Sequence, residues 1–292
     1  MVLHTVTAGQ TLSAVGRAYG VDPGLIARVN GLYPPYRLAV GQSLLILFPR
    51  STHLVRAGES LWSISQETGV SPLQLLRNNP NLGGGQNLHI GQVLVTAWGD
   101  TPTRPIEVNG YAYPYVDLDV LRGILPYATY LTPFTYGVFQ EGGLVDLQDQ
   151  ILLDLARQYA VTPLLHLSTL TETGGFSNER AAYILESPER QQALADRVAL
   201  QVVQRGYGGV DVDFEFIYPK QAALYAQFVG TLRRAVNQLG MELITALAPK
   251  VSADQPGVLY EGHNYRLIGE NSDAVLLMTY EWGYTYKLQC YM

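Results

Sequence analysis

The sequence predicts an α/β protein: two small strand–helix–helix–strand modules, then a (β/α)8 TIM-barrel type domain with about six of its eight strands present. Three observations predict it. The first hundred residues repeat a pattern at a spacing of about 49 positions. Beyond residue 105, short apolar runs alternate with longer helical segments. Within one such run, Gly208-Gly209-Val210-Asp211-Val212-Asp213-Phe214-Glu215-Phe216, carboxylates occupy alternate positions.

The repeat sets the first two modules. His4-Thr5-Val6-Thr7-Ala8-Gly9-Gln10-Thr11-Leu12 is echoed by His53-Leu54-Val55-Arg56-Ala57-Gly58-Glu59-Ser60-Leu61, and Gly20-Val21-Asp22-Pro23 by Gly69-Val70-Ser71-Pro72. A short alternating strand opens each copy. Thr11 and Ser60 then stand where a hydroxyl caps a helix, and Gly20 and Gly69 where that helix stops. Asp22-Pro23 and Ser71-Pro72 pair a capping residue with proline at the first helical position, so a second helix runs to about Asn30 and Asn79. A closing strand follows Gly41-Gln42 and Gly91-Gln92.

Both copies resemble LysM domains, which bind N-acetylglucosamine-containing glycans of peptidoglycan and chitin. The resemblance implies modules at 1–48 and 51–97. It also implies a sugar lying along Gly9, Gln10, Thr11 and Leu12 with Asn30 and Gly31, and along Gly58, Glu59, Ser60 and Leu61 with Asn79 and Pro80. Turn and cap chemistry is an alternative use of Gly9, Thr11, Gly58 and Ser60, and one residue can serve both.

The run 98–105, rich in Gly, Pro and Thr, reads as a linker to a domain at 106–292. There, strands are expected at 106–111, 130–134, 162–167, 209–216, 243–247 and 274–280. Helical stretches at 147–159, 188–205, 220–239 and 264–270 lie between them. Strands alternating with helices indicate parallel β/α units. A doubly wound sheet is less well supported, because no Gly-rich phosphate loop follows the first strand.

Alternation in 209–216 puts Asp211, Asp213 and Glu215 on one face and Val210, Val212, Phe214 and Phe216 on the other. The apolar face argues for packing under helices, which leaves the carboxylates short of water. Burial and like charge both raise carboxyl pKa values, so one member becomes a proton donor near neutrality. From the residues themselves three uses stay open: hard oxygen ligands for magnesium or manganese, a structural acidic patch, or general acid/base chemistry on a glycosidic bond. An EF-hand loop is excluded, since Phe216 stands where its glycine belongs and Ala222 where its closing acid belongs.

The stretch resembles the Asp-Gly-x-Asp-x-Asp-x-Glu signature of family 18 glycoside hydrolases on the fourth barrel strand, and Met278-Thr279-Tyr280-Glu281-Trp282 resembles their sixth-strand motif. With tandem N-terminal LysM repeats, the chain resembles spore cortex-lytic N-acetylglucosaminidases of the SleL/YaaH type. The resemblance implies retention without an enzyme nucleophile, the substrate's 2-acetamido oxygen attacking the anomeric carbon. It implies Glu215 as acid then base, Asp213 orienting the acetamido group, Asp211 supporting Asp213, and Tyr280 bonding the acetamido oxygen. Glu281, Trp282, Met278 and Tyr111 are expected to contact the sugar. The sequence departs from the family at Gly208, where the first aspartate belongs, and at Glu281, where Asp is usual. His166 is expected as a satisfied strand histidine and His263 as a loop residue. Further expectations are a non-catalytic glycan-binding protein or a chitinase as alternative functions.

Composition narrows the partners. A net charge of −6, from 19 Lys+Arg against 25 Asp+Glu, argues against nucleic acid or anionic membrane. The single Cys290 excludes an internal disulfide framework and a cysteine-ligated zinc site. No cofactor and no metal are expected. Twenty tyrosines against seven phenylalanines fit half-buried strand rings or stacking platforms for sugars. No signal peptide and no membrane-spanning run are read, so synthesis in the mother-cell cytoplasm and deposition in the spore coat or cortex are expected. Only about 188 residues follow the linker, fewer than a full barrel uses, and 287–292 continue neither helix nor strand. A barrel lacking strands seven and eight, from a frameshift or early stop, is the expectation.

Overall fold

The computed structural model describes residues 1–79, 82, 88–99 and 104–279. They divide into two compact units, one of residues 1–107 with 117–128, the other of 108–116 with the chain from 129 onward.

In the first unit, the leading module runs β1 (Val2–Thr5), α1 (Leu12–Tyr19), α2 (Pro23–Val29) and β2 (Ser43–Ile46), with β1 and β2 antiparallel. The caps are those the residue types call for. Thr11 Oγ1 accepts from Ala14 N, Asp22 Oδ2 accepts from Leu25 N, and Pro23 opens α2. Gly20 closes α1 at a φ of 66°, a left-handed conformation that an L side chain would strain. Leu12, Val15, Ile26, Leu44 and Ile46 form the buried core.

The next module repeats this with β3 (Pro49–Leu54), α3 (Leu61–Thr68), α4 (Pro72–Asn78) and β4 (Val93–Trp98). Ser60 and Ser63 close a reciprocal capping box, each side chain accepting from the other's backbone N–H. This unit also holds α5 (Leu118–Ile124), for which the sequence pattern is too short to predict a helix, and a 3-10 turn at Leu125–Tyr127 that follows it.

Each module is tied across by an asparagine. Asn30 Nδ2 donates to Ile26 O and Leu45 O at 2.8 and 2.9 Å, while its Oδ1 accepts from Leu45 N at 2.7 Å. Asn79 does the same with Leu75 O, Val95 O and Val95 N at 2.9, 2.9 and 2.8 Å. Both N–H groups of each amide are therefore committed to backbone that links the end of the second helix to the closing strand.

The second unit carries a sheet built from β5 (Asn109–Ala112), β6 (Tyr130–Pro133), β9 (Thr162–Ser168), β10 (Gly209–Asp213), β11 (Glu242–Leu247) and β12 (Ala274–Leu277), all parallel and paired in that sequence. A small hairpin, β7 (Gly137–Val138) with β8 (Leu144–Val145), precedes β9. The helices are α6 (Gln150–Gln158), α7 (Asn178–Leu185), α8 (Pro188–Arg205), α9 (Ala222–Asn237) and α10 (Tyr265–Asn271). This is a parallel half-barrel sheet of the expected α/β class.

The core lies between β10 and α8 and α9. Val210, Val212 and Phe214 are fully buried there beside Leu194, Val198, Phe228 and Leu232. The strand is shorter than its alternation predicts. It ends at Asp213, and Phe216 adopts a left-handed φ of 54°, so Phe216 leaves the apolar face and stands half-buried near Phe176. The glycines before β10 allow a close approach: a Cβ on Gly208 would lie 2.4 Å from Thr162 Cγ2, and one on Gly209 2.9 Å from Glu242 O. Thr162 thus occupies the space that the aspartate of the family signature would need.

Asn79→Ala should leave Val95 N, Val95 O and Leu75 O buried without partners and cost about 2–4 kcal/mol of local stability. Hydrogen exchange at the Val95 amide of the full chain reads this directly, and unchanged protection would refute the clamp.

Candidate active site

The C-terminal ends of the parallel strands carry a cleft of about 330 Å3, lined by Tyr111 and Ala112 of β5, Tyr113, Phe134, His166 of β9, Asp213 of β10, and Met278 just past β12. Strand ends of this kind are where side chains from several strands converge.

The carboxylates occupy three depths. Asp211 is fully buried in the strand, Asp213 is 4% exposed at its end, and Glu215 lies half-buried two residues beyond it. Tyr111 donates its hydroxyl to Asp211 Oδ2 at 2.5 Å. The other Asp211 oxygen, Oδ1, is buried with no hydrogen-bond partner among the described residues. Burial pushes the Asp211 carboxyl up to about 7, and the Tyr111 bond works in the opposite direction by favouring the charged form. The same acidic neighbourhood, with burial as the larger cause, drives the Tyr225 phenol well above its ordinary value.

Two histidines support this strand. His166 pairs in register with Asp211, its Nε2 3.6 Å from Asp213 Oδ2 and its Nδ1 2.6 Å from Thr135 Oγ1. His263 lies in a loop, as expected, and is fully buried there. Its Nδ1 accepts from Ala248 N at 3.1 Å, leaving Nε2–H to donate to Phe214 O at 3.0 Å. That bond holds the peptide between Asp213 and Glu215. Neither role is legible in sequence, because each depends on what stands across the sheet.

Aromatic rings form the cleft wall. Tyr113 packs edge-on against Phe134 at 5.2 Å and stacks on Tyr115 at 5.1 Å and 15°, with Tyr115 81% exposed. Such faces suit the apolar side of a pyranose ring. Of the sequence-predicted site residues, Tyr111 and Met278 join the carboxylates here; Tyr280, Glu281 and Trp282 lie outside the described residues.

In the leading module a groove of about 420 Å3 is lined by Thr11, Ser13, Pro23, Tyr36 and Arg37 among others. Gly9 and Thr11 are exposed beside it, whereas Leu12 also serves the core. Tyr36 and Arg37 carry no distinguishing sequence signal. Asn30 and Asn79 spend their side chains on the backbone clamps described above, which is the physical reason an amide sits there. In the second module Gly58 and Ser60 are exposed, Leu61 is half-buried, and Trp62 is 67% exposed where Ser13 stands in the first; Pro80 lies outside the described residues.

His53, Glu59 and Glu67 of the second module are close enough to suggest a metal site. The carboxylates, however, approach opposite ring nitrogens, Glu59 at Nε2 (2.9 Å) and Glu67 at Nδ1 (4.0 Å), and Arg56 stands 3.7 and 3.2 Å from them. Both carboxylates therefore pair with the Arg56 guanidinium as well as with the ring.

A parallel half-barrel with acids at its strand ends, preceded by two glycan-type modules, is the architecture of a modular carbohydrate-active protein. Residues 4–47 and 53–96 match LysM domain, and residues 157–286 match glycosyl hydrolases family 18. The chain belongs to the family 18 glycosyl hydrolases that carry tandem LysM domains. It is 32% identical over 291 residues to the cortical fragment-lytic enzyme of Bacillus subtilis, covering 98% of this chain and 67% of that protein. Solved structures of the spore cortex-lytic enzyme SleL superpose on it with TM-scores of 0.73 for Bacillus cereus (29% identity, 97% of this chain, 66% of that one) and 0.71 for Bacillus megaterium (28%, 96% and 66%). The chain thus spans about two thirds of the length of these relatives.

Asp211 sets a pH dependence. Its folded carboxyl keeps a proton that the unfolded chain releases near pH ~4, so its contribution to stability is greatest at low pH and is lost as pH rises toward about 7. Asp211→Asn should remove that slope, the variant gaining on the wild type between about pH 4 and 7. Exchange protection of the β10 amides, compared at the two ends of this range, checks it; parallel profiles would refute it.

Proposed function

We propose that this chain hydrolyses N-acetylglucosaminyl bonds of peptidoglycan, spore cortex in particular, with the LysM pair holding it on the polymer. The observation that carries this is the buried Asp211–Asp213 pair with Glu215 beyond it, opening onto a cleft walled by aromatic rings. The named activities of the relatives support the same substrate, and deposition in the spore coat or cortex belongs to the same proposal. Among the described residues no helix is long and apolar enough to cross a membrane.

The arrangement favours a substrate-assisted, retaining reaction. A retaining enzyme with its own nucleophile places a second carboxyl across the scissile bond, about 5–5.5 Å from the acid. Here Asp211 and Asp213 lie on one strand with Glu215 two residues past its end, and Asp213 is the acid among the described cleft-lining residues. The attacking atom is then the substrate's acetamido oxygen, which forms a bond to the anomeric carbon as the leaving oxygen takes a proton from Glu215. Asp213 orients the acetamido N–H and balances the positive ring that forms. Glu215, now ionised, takes a proton from the water that opens it. Asp211, raised by burial, holds its own proton near neutrality and lets Asp213 keep the charge.

Anchoring two modules on the polymer raises the local concentration of scissile bonds around the cleft. In the leading module the groove beside Thr11 and Tyr36 is the proposed polymer contact.

Glu215→Gln in the full chain should lower release of reducing ends by about 10²–10⁴-fold while pull-down on peptidoglycan is retained. Spore cortex and chitin are assayed side by side, and the first anomer released is read by NMR. Polymer binding without any reducing ends from the wild type would make it a glycan-binding protein; preference for chitin would make it a chitinase; an inverted product would overturn the mechanism.

A further inference from the structure

His166 is 1% exposed, yet it faces the cleft, and the reaction above leaves its ring without a task. It is held on all sides. Phe134 lies against it at 4.8 Å and 32°, and Tyr111 meets it edge-on at 5.4 Å and 89°. Its two nitrogens meet different groups, Thr135 Oγ1 at Nδ1 and Asp213 Oδ2 at Nε2.

We infer that His166 is a positioning residue for the proposed glycosidase reaction: the Thr135 hydroxyl holds it as the neutral Nε2–H tautomer, and that N–H is aimed at the Asp213 carboxylate. The inference rests on the reading of this cleft as a glycosidase site.

The tautomer follows from the contact distances and from the carboxylate at the other nitrogen. A neutral imidazole has one donor and one acceptor. Thr135 Oγ1 can donate to Ser168 Oγ, 3.0 Å away, which also accepts from Leu170 N at 3.1 Å. The one hydrogen of the Thr135 hydroxyl goes to the 2.6 Å contact with His166 Nδ1, which is shorter than its approaches of 3.0 Å to Ser168 Oγ and 3.3 and 3.4 Å to the His166 and Tyr136 carbonyls. The opposite tautomer would turn an imidazole lone pair toward a carboxylate. Burial pushes His166 down to about 3, so the ring is uncharged at neutral pH.

At 3.6 Å the Nε2–Oδ2 approach is longer than a hydrogen bond. Catalytic hydrogen bonds are commonly long without substrate and tighten when it binds. A donor aimed at Asp213 favours its charged form, while burial favours the protonated form of Asp211 two residues earlier. His166 thereby helps decide which of two neighbouring acids is ionised.

The test uses the full chain labelled with 15N-histidine, the His166 signals being assigned by their loss in His166→Gln. The expected spectrum is a neutral Nε2–H ring between about pH 5 and 8, well above the buried ring's titration. Asp213→Asn should shift the Nε2–H proton upfield. An Nδ1–H tautomer, an imidazolium at neutral pH, or no response to Asp213→Asn would overturn the inference. These signals need no turnover, so an inactive wild type counts against the glycosidase reading and leaves this one decided by the spectra. In an active enzyme Thr135→Val should lower kcat about ten- to a hundredfold with little change in KM, the worth of one hydrogen bond to a charged network. Thr135→Ser should restore it; equal losses in the two variants would reduce Thr135 and His166 to packing.

Discussion

Placing two carboxylates on one face of an interior strand is the constraint around which the second unit is arranged. Water is excluded from Asp211 and Asp213, and a buried acid without partners is costly. The strand meets this with neighbours from other strands: the Tyr111 hydroxyl on Asp211, the His166 ring beside Asp213, and His263 on the Phe214 carbonyl. None of these brings a full opposite charge. A lysine or arginine there would hold both acids ionised, whereas neutral donors leave room for one to keep its proton.

The opposite face of the strand makes that arrangement rigid. Phe214 stacks on Tyr225 and Phe228 beneath α9, and Gly208 and Gly209 bring β10 close against Thr162 and Glu242. The same closeness accounts for the departure from the family signature at Gly208, since Thr162 fills the space an aspartate would take. Past Asp213 the chain leaves the sheet, and Phe216 turns into the left-handed region. Glu215 consequently stands past the end of the strand, more accessible than the two acids before it.

The two LysM modules show one plan with different surfaces. Their helix caps, left-handed C-caps and asparagine clamps coincide, while Ser13 is matched by the exposed Trp62, and Gln10, bonded to His4, by Glu59, bonded to His53. Buried polar groups must be satisfied wherever the module is used, so the clamp recurs. Exposed positions are free to differ, and they are where the copies can divide glycan binding between them.

Much of this was determined by the sequence alone. Caps, glycine stops and strand alternation are local, so the repeat, the α/β order, whose strands fall within a few residues of their expected bounds, and the shared face of Asp211 and Asp213 could be read directly. Short elements such as α5 and α7 carry too little periodicity to be seen, and the amide at Asn30 or Asn79 looks the same whether it serves a sugar or the backbone. The tertiary structure alone decided the partners: that Tyr111 meets Asp211 across 100 residues, that His166 and His263 hold the acidic strand, and that β10 stops at Asp213. The reason is that a strand's pattern specifies which face is buried, whereas the chemistry of that face is set by side chains from strands beside it in space and distant in the chain.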